Sequence, residues 1–462
     1  MFKKFIGDRT FYRHMAVVAI PIVIQNAITN FVALLDNIMV GQIGTLEMSG
    51  VSIANQLVFV FNICIYGGIS GAGIFAAQFY GDGNHEGVRQ TFRFKFLLSL
   101  LLSFGGIALF WFSGTPLIGL FLQGEGDPAE ILQTLAFGRE YLDIMLWGLV
   151  PFALAMIYSG TLRETGQTVV PMIAGVVAVL VNMVLNYILI FGHFGFPEMG
   201  VKGAAVATVI SRYVELAIVV IWTHANSEKH PFIKHAYRSM YMPGWLLGEI
   251  FKKGMPLLIN EFLWASGTAM LSQSYSVRGL DVVAAMNINN TLRNVTSVAF
   301  LSMGNVTAII MGQMMGAGKS VAEVRDTHRK LTAVSVVSCM TLGAATVAVS
   351  GLFPRIFNTT EQVRSLAMVL ICVMAMEMPF RGYTQVAYFA LRAGGKSMIT
   401  FLFDAGYMWV VSVPLAYILS RFTGIPIIGL YALCISTEAL KCAFGALLLR
   451  SDVWIQNLAR RT

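Results

Sequence analysis

Gln78-Phe79-Tyr80-Gly81-Asp82-Gly83, at the end of one long apolar run, returns 235 positions later as Gln313-Met314-Met315-Gly316-Ala317-Gly318. The same offset relates Pro21 to Pro256, Gly44 to Gly279 and Asn55 to Asn290. Further along, at slightly shorter offsets, Arg163–Gly166 is echoed by Arg392–Gly395 and Gly203 by Gly429. A chain that repeats itself in this way reads as two copies of one structural unit.

What the unit is made of follows from the runs between these landmarks. A membrane helix needs about 20 mostly apolar residues. Twelve such runs are present, at about 14–40, 51–80, 94–113, 137–158, 168–192, 201–223, 249–277, 282–315, 331–352, 364–390, 397–420 and 426–449. The second and eighth are long enough to tilt or to project beyond the hydrocarbon. Six spans per copy is an even number, so both copies keep one orientation and an axis along the membrane normal relates them. Parallel repeats of this kind are a transporter architecture, with the substrate path between the lobes. The fold expected is an all-α membrane protein of twelve transmembrane helices in two six-helix lobes. The lobes run over 1–227 and 249–462, and the hydrophilic stretch 228–248, with Pro231, Pro243 and Gly244, joins them as a cytoplasmic linker. An amphipathic element on the membrane surface fits within that linker.

Composition agrees. Of 462 residues, 56% are hydrophobic and 12% charged, with a mean hydropathy of +0.70. Soluble domains run about 45–50% apolar and about 25% charged. A soluble enzyme, a disordered chain and a disulfide-framed secreted domain are therefore excluded. The net charge of +8 raises nucleic acid as a partner, but the placement of the basic residues dismisses it. Most of the 32 Lys and Arg fall on the side that carries both termini, among them Lys3, Lys4, Arg9, Arg13, Arg89, Arg93, Lys95, Lys229, Lys234 and Arg460. The opposite loops hold Arg139, Lys202, Arg278, Arg355, Arg364 and Arg421. By the positive-inside rule both termini are cytoplasmic. The five cysteines are scattered singly through apolar stretches and read as small hydrophobes, not as disulfides or metal ligands. Met1–Arg13 is basic and short, and the apolar run behind it is too long for a cleavable signal.

Ionisable side chains inside spans are costly, so each needs a reason. The first lobe holds Asp36, Arg212 and Glu215; the last two are three apart and neighbours on one helical face, able to neutralise each other. Glu438 and Lys441 repeat that pairing in the second lobe with the signs exchanged. The second lobe adds Glu261, Arg293, Glu377, Arg381 and Asp404. Glu377 and Arg381 are four apart and expected to pair, leaving Arg293 to take Glu261 or Asp404. Each lobe then keeps one acid without a resident cation. Such a carboxylate must take up a proton, bind a metal cation or receive a cationic substrate. For Asp36 the alternative is a helix-end residue reaching the outer interface. Asn182 and Asn186, stacked on span five, and Thr208 on span six add neutral oxygens that with Asp36 suit Na⁺, although Asn186 serves equally well as a hydrogen bond between helices. Trp264 lies one turn beyond Glu261, where a carboxylate beside an aromatic face suits a lipophilic cation. Asn287, Asn290 and Asn294, continued by Ser297, make a polar stripe along span eight that faces a water-filled cavity or joins helices.

Three stretches carry a family resemblance over essentially the whole chain. Leu34-Leu35-Asp36-Asn37-Ile38-Met39-Val40-Gly41-Gln42-Ile43-Gly44 resembles the first-helix motif of multidrug and toxic compound extrusion (MATE) transporters. Gly192-His193-Phe194-Gly195-Phe196-Pro197, with Gly200-Val201-Lys202-Gly203 after it, and the turn Leu391-Arg392-Ala393-Gly394-Gly395-Lys396 are similar to the same family's. The resemblance implies a first-lobe ion site at Asp36, Asn182, Asn186 and Thr208, and an acid on the helix that carries Glu261. The family often has Asp where this chain has Asn186, which leaves the coupling ion open between H⁺ and Na⁺. It also implies a monomeric antiporter in a bacterial inner membrane, with small organic cations as substrates and rocking of the lobes to alternate access. Glu261, Trp264, Asn287, Asn290, Asn294, Glu377, Arg293 and Asp404 are the candidates for the substrate and proton path.

Other chemistries find no support in the residues. Gly316-Ala317-Gly318-Lys319-Ser320 resembles the end of a phosphate-binding loop, yet the required first Gly is Gln313 and no strand precedes it, so ATP is not expected as fuel. No adjacent Asp-Asp is present for an intramembrane prenyltransferase, and no other catalytic group clusters, so no enzyme and no cofactor is expected. A flippase for lipid-linked oligosaccharides would want excess buried Arg or Lys, and a channel is the remaining alternative.

Overall fold

The computed structural model describes residues 5–122 and 127–460, and at 33, 34, 36–38 and 41 the backbone alone. Twelve long helices carry the described residues: α1 Arg9–Gly41, α2 Thr45–Gly81, α3 His85–Phe121, α4 Pro128–Glu164, α5 Val169–Phe191, α6 Val201–Ala225, α7 Gly244–Ser276, α8 Leu280–Gly316, α9 Val321–Val349, α10 Glu361–Ala393, α11 Ser397–Phe422 and α12 Ile427–Arg450. Eleven of them are long and apolar enough to cross a membrane. The other, α7, carries Glu249, Lys252, Lys253, Asn260 and Glu261 along its length, which dilutes its apolar character. At about 1.5 Å per residue, the 37-residue α2 and α8 reach about 55 Å and outrun a hydrocarbon core of about 30 Å.

The repeat has a local physical cause. Four helix ends close with the same turn, in which a glycine takes positive φ and the next N–H reaches back to a carbonyl five residues earlier. Gly83 (φ 75°) and Gly318 (φ 69°) do this after α2 and α8, where Asn84 N–H donates to Phe79 O and Lys319 N–H to Met314 O. Gly166 (φ 82°) and Gly395 (φ 72°) do it after α4 and α10, through Gln167 and Lys396. A side chain at these four positions would be strained, which is why glycine recurs there. Prolines mark the same places in both copies: Pro21 and Pro256 lie inside α1 and α7.

The chain forms two compact units. One comprises 24–76 and 85–250, the other 1–23, 77–84 and 251–462. In the first unit α3 lies against α4, and α5 against α6. Its apolar core runs from Val51, Ala54 and Val58 through Leu142, Met145 and Leu149 to Ala204 and Ala205. In the second unit α10 packs on α8, α9 and α12. Val18, Ala19 and Ile22 of α1 join Val306, Ile310, Val386 and Phe389 in one core, and Ala285, Leu370, Ile371 and Leu430 belong to another.

The stretch between α6 and α7 is a series of turns, not an amphipathic helix. Two arginines of α3 hold it. Arg89 donates to the carbonyls of Pro231 and Phe232, and Arg93 to those of His235, Ala236 and Tyr241. Phe232, Ile233 and Ala236 are buried beneath them. Residues that read from sequence as topological signals thus also satisfy backbone that no helix or sheet would satisfy.

Candidate functional site

In the first unit the neutral oxygens converge. Asn182 Nδ2 donates to Thr208 Oγ1 at 3.2 Å and Asn186 Nδ2 to Asn182 Oδ1 at 3.3 Å, while Thr208 Oγ1 donates back to Ala204 O at 2.9 Å. Asn182 and Asn186 are buried. One turn of α5 stacks the two amides, and the α5–α6 contact supplies the threonine. The fourth member of the sequence set, Asp36, has a side chain outside the described residues.

Charge in this unit is arranged differently from the expected Arg212–Glu215 pair, and no ion pair joins those two among the described residues. The Arg212 guanidinium instead lies 4.4 Å from the centre of the Phe152 ring. Lys95, with a side chain only 1% exposed, is paired with Glu164 and donates to Thr161 Oγ1 at 3.3 Å. Arg163 Nη2 donates to Gln25 Oε1 at 2.7 Å. An intrahelical pair at i,i+3 satisfies one helix, whereas these contacts each tie two helices together. Sequence reading placed Lys95 and Arg163 with the loop residues; the helices extend far enough to bury the lysine.

The second unit holds a partly open cavity of about 520 Å³. Its wall includes Trp264, Asn290, Arg293, Asn294, Ser297, Glu377, Arg381, Tyr407, Tyr431, Glu438 and Lys441. Of the sequence candidates, Trp264, Asn290, Asn294, Arg293 and Glu377 therefore meet around one space. Asn287 lies elsewhere, exposed on α8, and neither Glu261 nor Asp404 lines the cavity.

The ion pairs here correct two sequence readings and agree with one. Glu377, 3% exposed, does accept from Arg381, at 2.5 Å. Arg293 takes neither Glu261 nor Asp404; its Nη2 lies 2.5 Å from the other oxygen of Glu377. Lys441 does not pair with Glu438 on its own helix but reaches Asp404 Oδ1 at 2.7 Å. Glu438 accepts from Thr384 Oγ1 at 2.7 Å, with Arg381 at 3.8 Å.

Asp404 lies in an irregular part of α11. Residues Leu402–Gly406 and Met408–Ser412 are π-helical, a rare form found mostly at functional sites. This winding accompanies a close seam with α7, where a methyl group at Gly267 would fall 2.3 Å from Met408 Sδ. Across that seam Asn260, 1% exposed, accepts the Ala405 N–H and donates to Asp404 Oδ2 and to the Tyr388 hydroxyl. Trp409 Nε1 donates to Leu263 O at 2.8 Å. Asn260, Thr384 and Tyr431 are not among the sequence candidates, because none of them belongs to a polar stripe or to a family motif. The signal for Asn260 was its place beside Glu261 within an apolar run.

Glu261 is half-buried and makes no hydrogen bond or ion pair among the described residues; Arg392 and Asp404 are the charges that act on it.

Twelve long helices in two repeat-related sets, with buried ion pairs around a cavity, define a multi-pass membrane protein of transporter architecture. The chain belongs to the MatE family, whose model matches residues 21–188 and again 256–418, once in each half. It is 25% identical over 445 residues to a probable multidrug resistance protein NorM of Thermotoga maritima, covering 94% of this chain and 91% of that protein. It is 24% identical to the multidrug resistance protein NorM of Photobacterium profundum over 88% of this chain and 87% of that protein. Among solved structures, a MATE protein in the straight conformation superposes with a TM-score of 0.86 at 19% identity, over 98% of this chain and 97% of that one. A Vibrio cholerae MATE transporter gives 0.84 at 18% identity, over 97% and 99%. The all-helical, two-lobed fold expected from the repeat is the fold of these structures.

Proposed function

We propose that this chain exports organic, mostly cationic, compounds by alternating access, driven by inward H⁺ or Na⁺, from a bacterial inner membrane with both termini in the cytoplasm. The relatives named as multidrug resistance proteins support the export, and the bias of Lys and Arg supports the orientation. The observation that carries cation coupling is Glu261. Every other acid of the second unit's interior has a resident basic partner within 4 Å: Glu377 has Arg293 and Arg381, Asp404 has Lys441, and Glu438 has Arg381. Arg392 acts on Glu261 from beyond that distance, a weak hold that a proton or an organic cation can replace. In the first unit Asn182, Asn186 and Thr208 offer neutral oxygen ligands, and Asp36 supplies the charge.

The flippase alternative asks for a basic wall. Here Asp404 neutralises Lys441, so the cations at the cavity are matched by acids. A potential of 100 mV supplies about 2.3 kcal/mol per charge, roughly a 45-fold gradient at about 1.4 kcal/mol per decade, which is enough for resistance without nucleotide hydrolysis.

The test is dye extrusion from cells and reconstituted transport under Na⁺ and H⁺ gradients imposed separately. Glu261→Gln and Asp36→Asn are expected to keep wild-type protein levels and lose efflux of a cationic dye. Normal extrusion by both variants would overturn the assignment of the ion sites, and transport that ignores both gradients would overturn coupling itself.

A further inference from the structure

A further cavity of the second unit, of about 330 Å³, has basic residues in its wall and, among the described residues, no acidic one. Arg325, His328 and Arg329 reach it from the first three turns of α9, and Arg450 from the last residue of α12. Spacings of three and four put the α9 residues on one helical face. The chain leaves α12 extended at Ser451 and turns through Asp452–Trp454, which brings Trp454 under α9. Trp454 is 2% exposed, donates from Nε1 to Leu449 O at 3.3 Å, and its ring centre lies 5.6 Å from that of His328. Tyr383 of α10 completes the apolar side.

Two features call for a ligand. His328 lines the cavity and is 7% exposed, yet its buried Nε2 has no hydrogen-bond partner. A buried polar atom left in that state is costly, and a ligand acceptor would relieve it. The cavity also holds excess positive charge. Arg325 is held by Asp452, but Arg329 and Arg450 make no ion pair among the described residues. Neighbouring Lys330, by contrast, is held by Asp326 at 2.6 Å.

The depth of the cavity names the ligand class. The apolar run of α9 begins near Leu331 and that of α12 ends at Leu449, so the cavity sits where both helices pass from oil to headgroups. Arginines at that level beside a buried tryptophan match an interfacial lipid site, with basic groups for the headgroup and aromatic surface for the glycerol and upper acyl chain. A free phosphate would meet the arginines and leave the Tyr383–Leu449–Trp454 surface bare.

We propose that this cavity binds the phosphate of an anionic phospholipid. Arg329 and Arg450 face its charge, and His328 donates a hydrogen bond from Nε2 to a phosphate or glycerol oxygen. The site is independent of the transport path, so its failure and that of the proposed function are separable.

The experiment measures retention of phosphatidylglycerol and of phosphatidylcholine by the purified full-length protein in detergent, using native mass spectrometry. Arg329→Gln combined with Arg450→Gln removes two exposed cations and leaves the packed core alone; Lys330→Gln is the control. The double variant is expected to hold phosphatidylglycerol about thirtyfold more weakly, with phosphatidylcholine retention unchanged and the control like the wild type. Excess inorganic phosphate is expected to leave the lipid in place. Equal phosphatidylglycerol retention by wild type and double variant overturns the proposal. Complete displacement by inorganic phosphate also overturns it, since the cavity would then be a free-anion site.

Discussion

Gly81 lies against the backbone of Gln313 so closely that a methyl group on it would fall 2.0 Å from the Gln313 carbonyl oxygen. The contact is reciprocal: a methyl on Gly316 would fall 1.9 Å from the carbonyl oxygen of Gln78. The two halves of the repeated motif thus meet each other, glycine of one copy against glutamine of the other, as a two-fold contact requires. Gln78 then extends the joint. Fully buried, it donates to Ala393 O and Gln456 O and accepts the Leu458 N–H, so it also fastens the C-terminal segment.

Because the opposing atoms are backbone, no side chain can rotate aside. Gly81→Ala and Gly316→Ala are each expected to cost about 1–3 kcal/mol, the range for overpacking, and to lower the thermal midpoint in detergent. Gly105→Ala, on α3 with nothing within 4 Å, should leave the midpoint unchanged or raise it by the equivalent of about 0.5–1 kcal/mol. Equal behaviour of all three would mean that helix propensity, not the joint, governs these positions.

The arrangement around Glu377 predicts an order of effects. One nearly inaccessible carboxylate serves two guanidiniums, Arg293 and Arg381. Removing it leaves both without their main partner, and breaking a buried pair costs about 3–5 kcal/mol. Glu377→Gln should therefore destabilise the protein more than Arg293→Met, which leaves Arg381 on the carboxylate. Thermal unfolding of the two variants checks the order.

How far the sequence reached is instructive in these same residues. The repeat, the twelve spans and the Glu377–Arg381 pair were legible because each depends on spacing along the chain, which sequence displays directly. The convergence of Asn182, Asn186 and Thr208 was legible through one turn of α5 and a family resemblance. Partners across helices were not. Nothing in the spacing of Lys441 says that Asp404 outcompetes Glu438, because that choice depends on how α11 and α12 pack, and Asp404 lies in a π-helical stretch whose register a regular 3.6-residue period does not give. Nor does hydropathy reveal that Lys95 is buried, since a basic residue before an apolar run reads the same whether it meets water or Glu164.

The exchange of partners at Lys441 is measurable by double-mutant cycles. Asp404→Asn and Lys441→Met should couple by about 0.5–3 kcal/mol, the range for residues in direct contact. Glu438→Gln and Lys441→Met should be close to additive. If the larger coupling falls on Glu438, the intrahelical pair read from sequence is the operative one and the interhelical bridge is not.

The turn-rich stretch between α6 and α7 should respond to acid, and the reason is His230. It is 6% exposed, its Nε2 has no hydrogen-bond partner, and the rings of Trp222 and Phe232 lie 5.2 and 6.2 Å away. Burial, and then the charge of Lys229 beside it, hold its pKa below the ordinary 6.5. In the folded protein the imidazole is therefore neutral where an unfolded one would already take a proton. Stability from this source is complete above about pH 6.5, and falls as the pH drops through the lowered folded value. With the intrinsic pH dependence of amide exchange divided out, the protection factors around Pro231–Ala236 should accordingly be high at neutral pH and lower at about pH 5, while those of α8 stay unchanged. His230→Phe keeps an aromatic body against Trp222 and cannot take up the proton, so it should flatten the pH dependence. A wild-type segment whose exchange protection ignores pH would show that Arg89 and Arg93 alone hold this stretch in place.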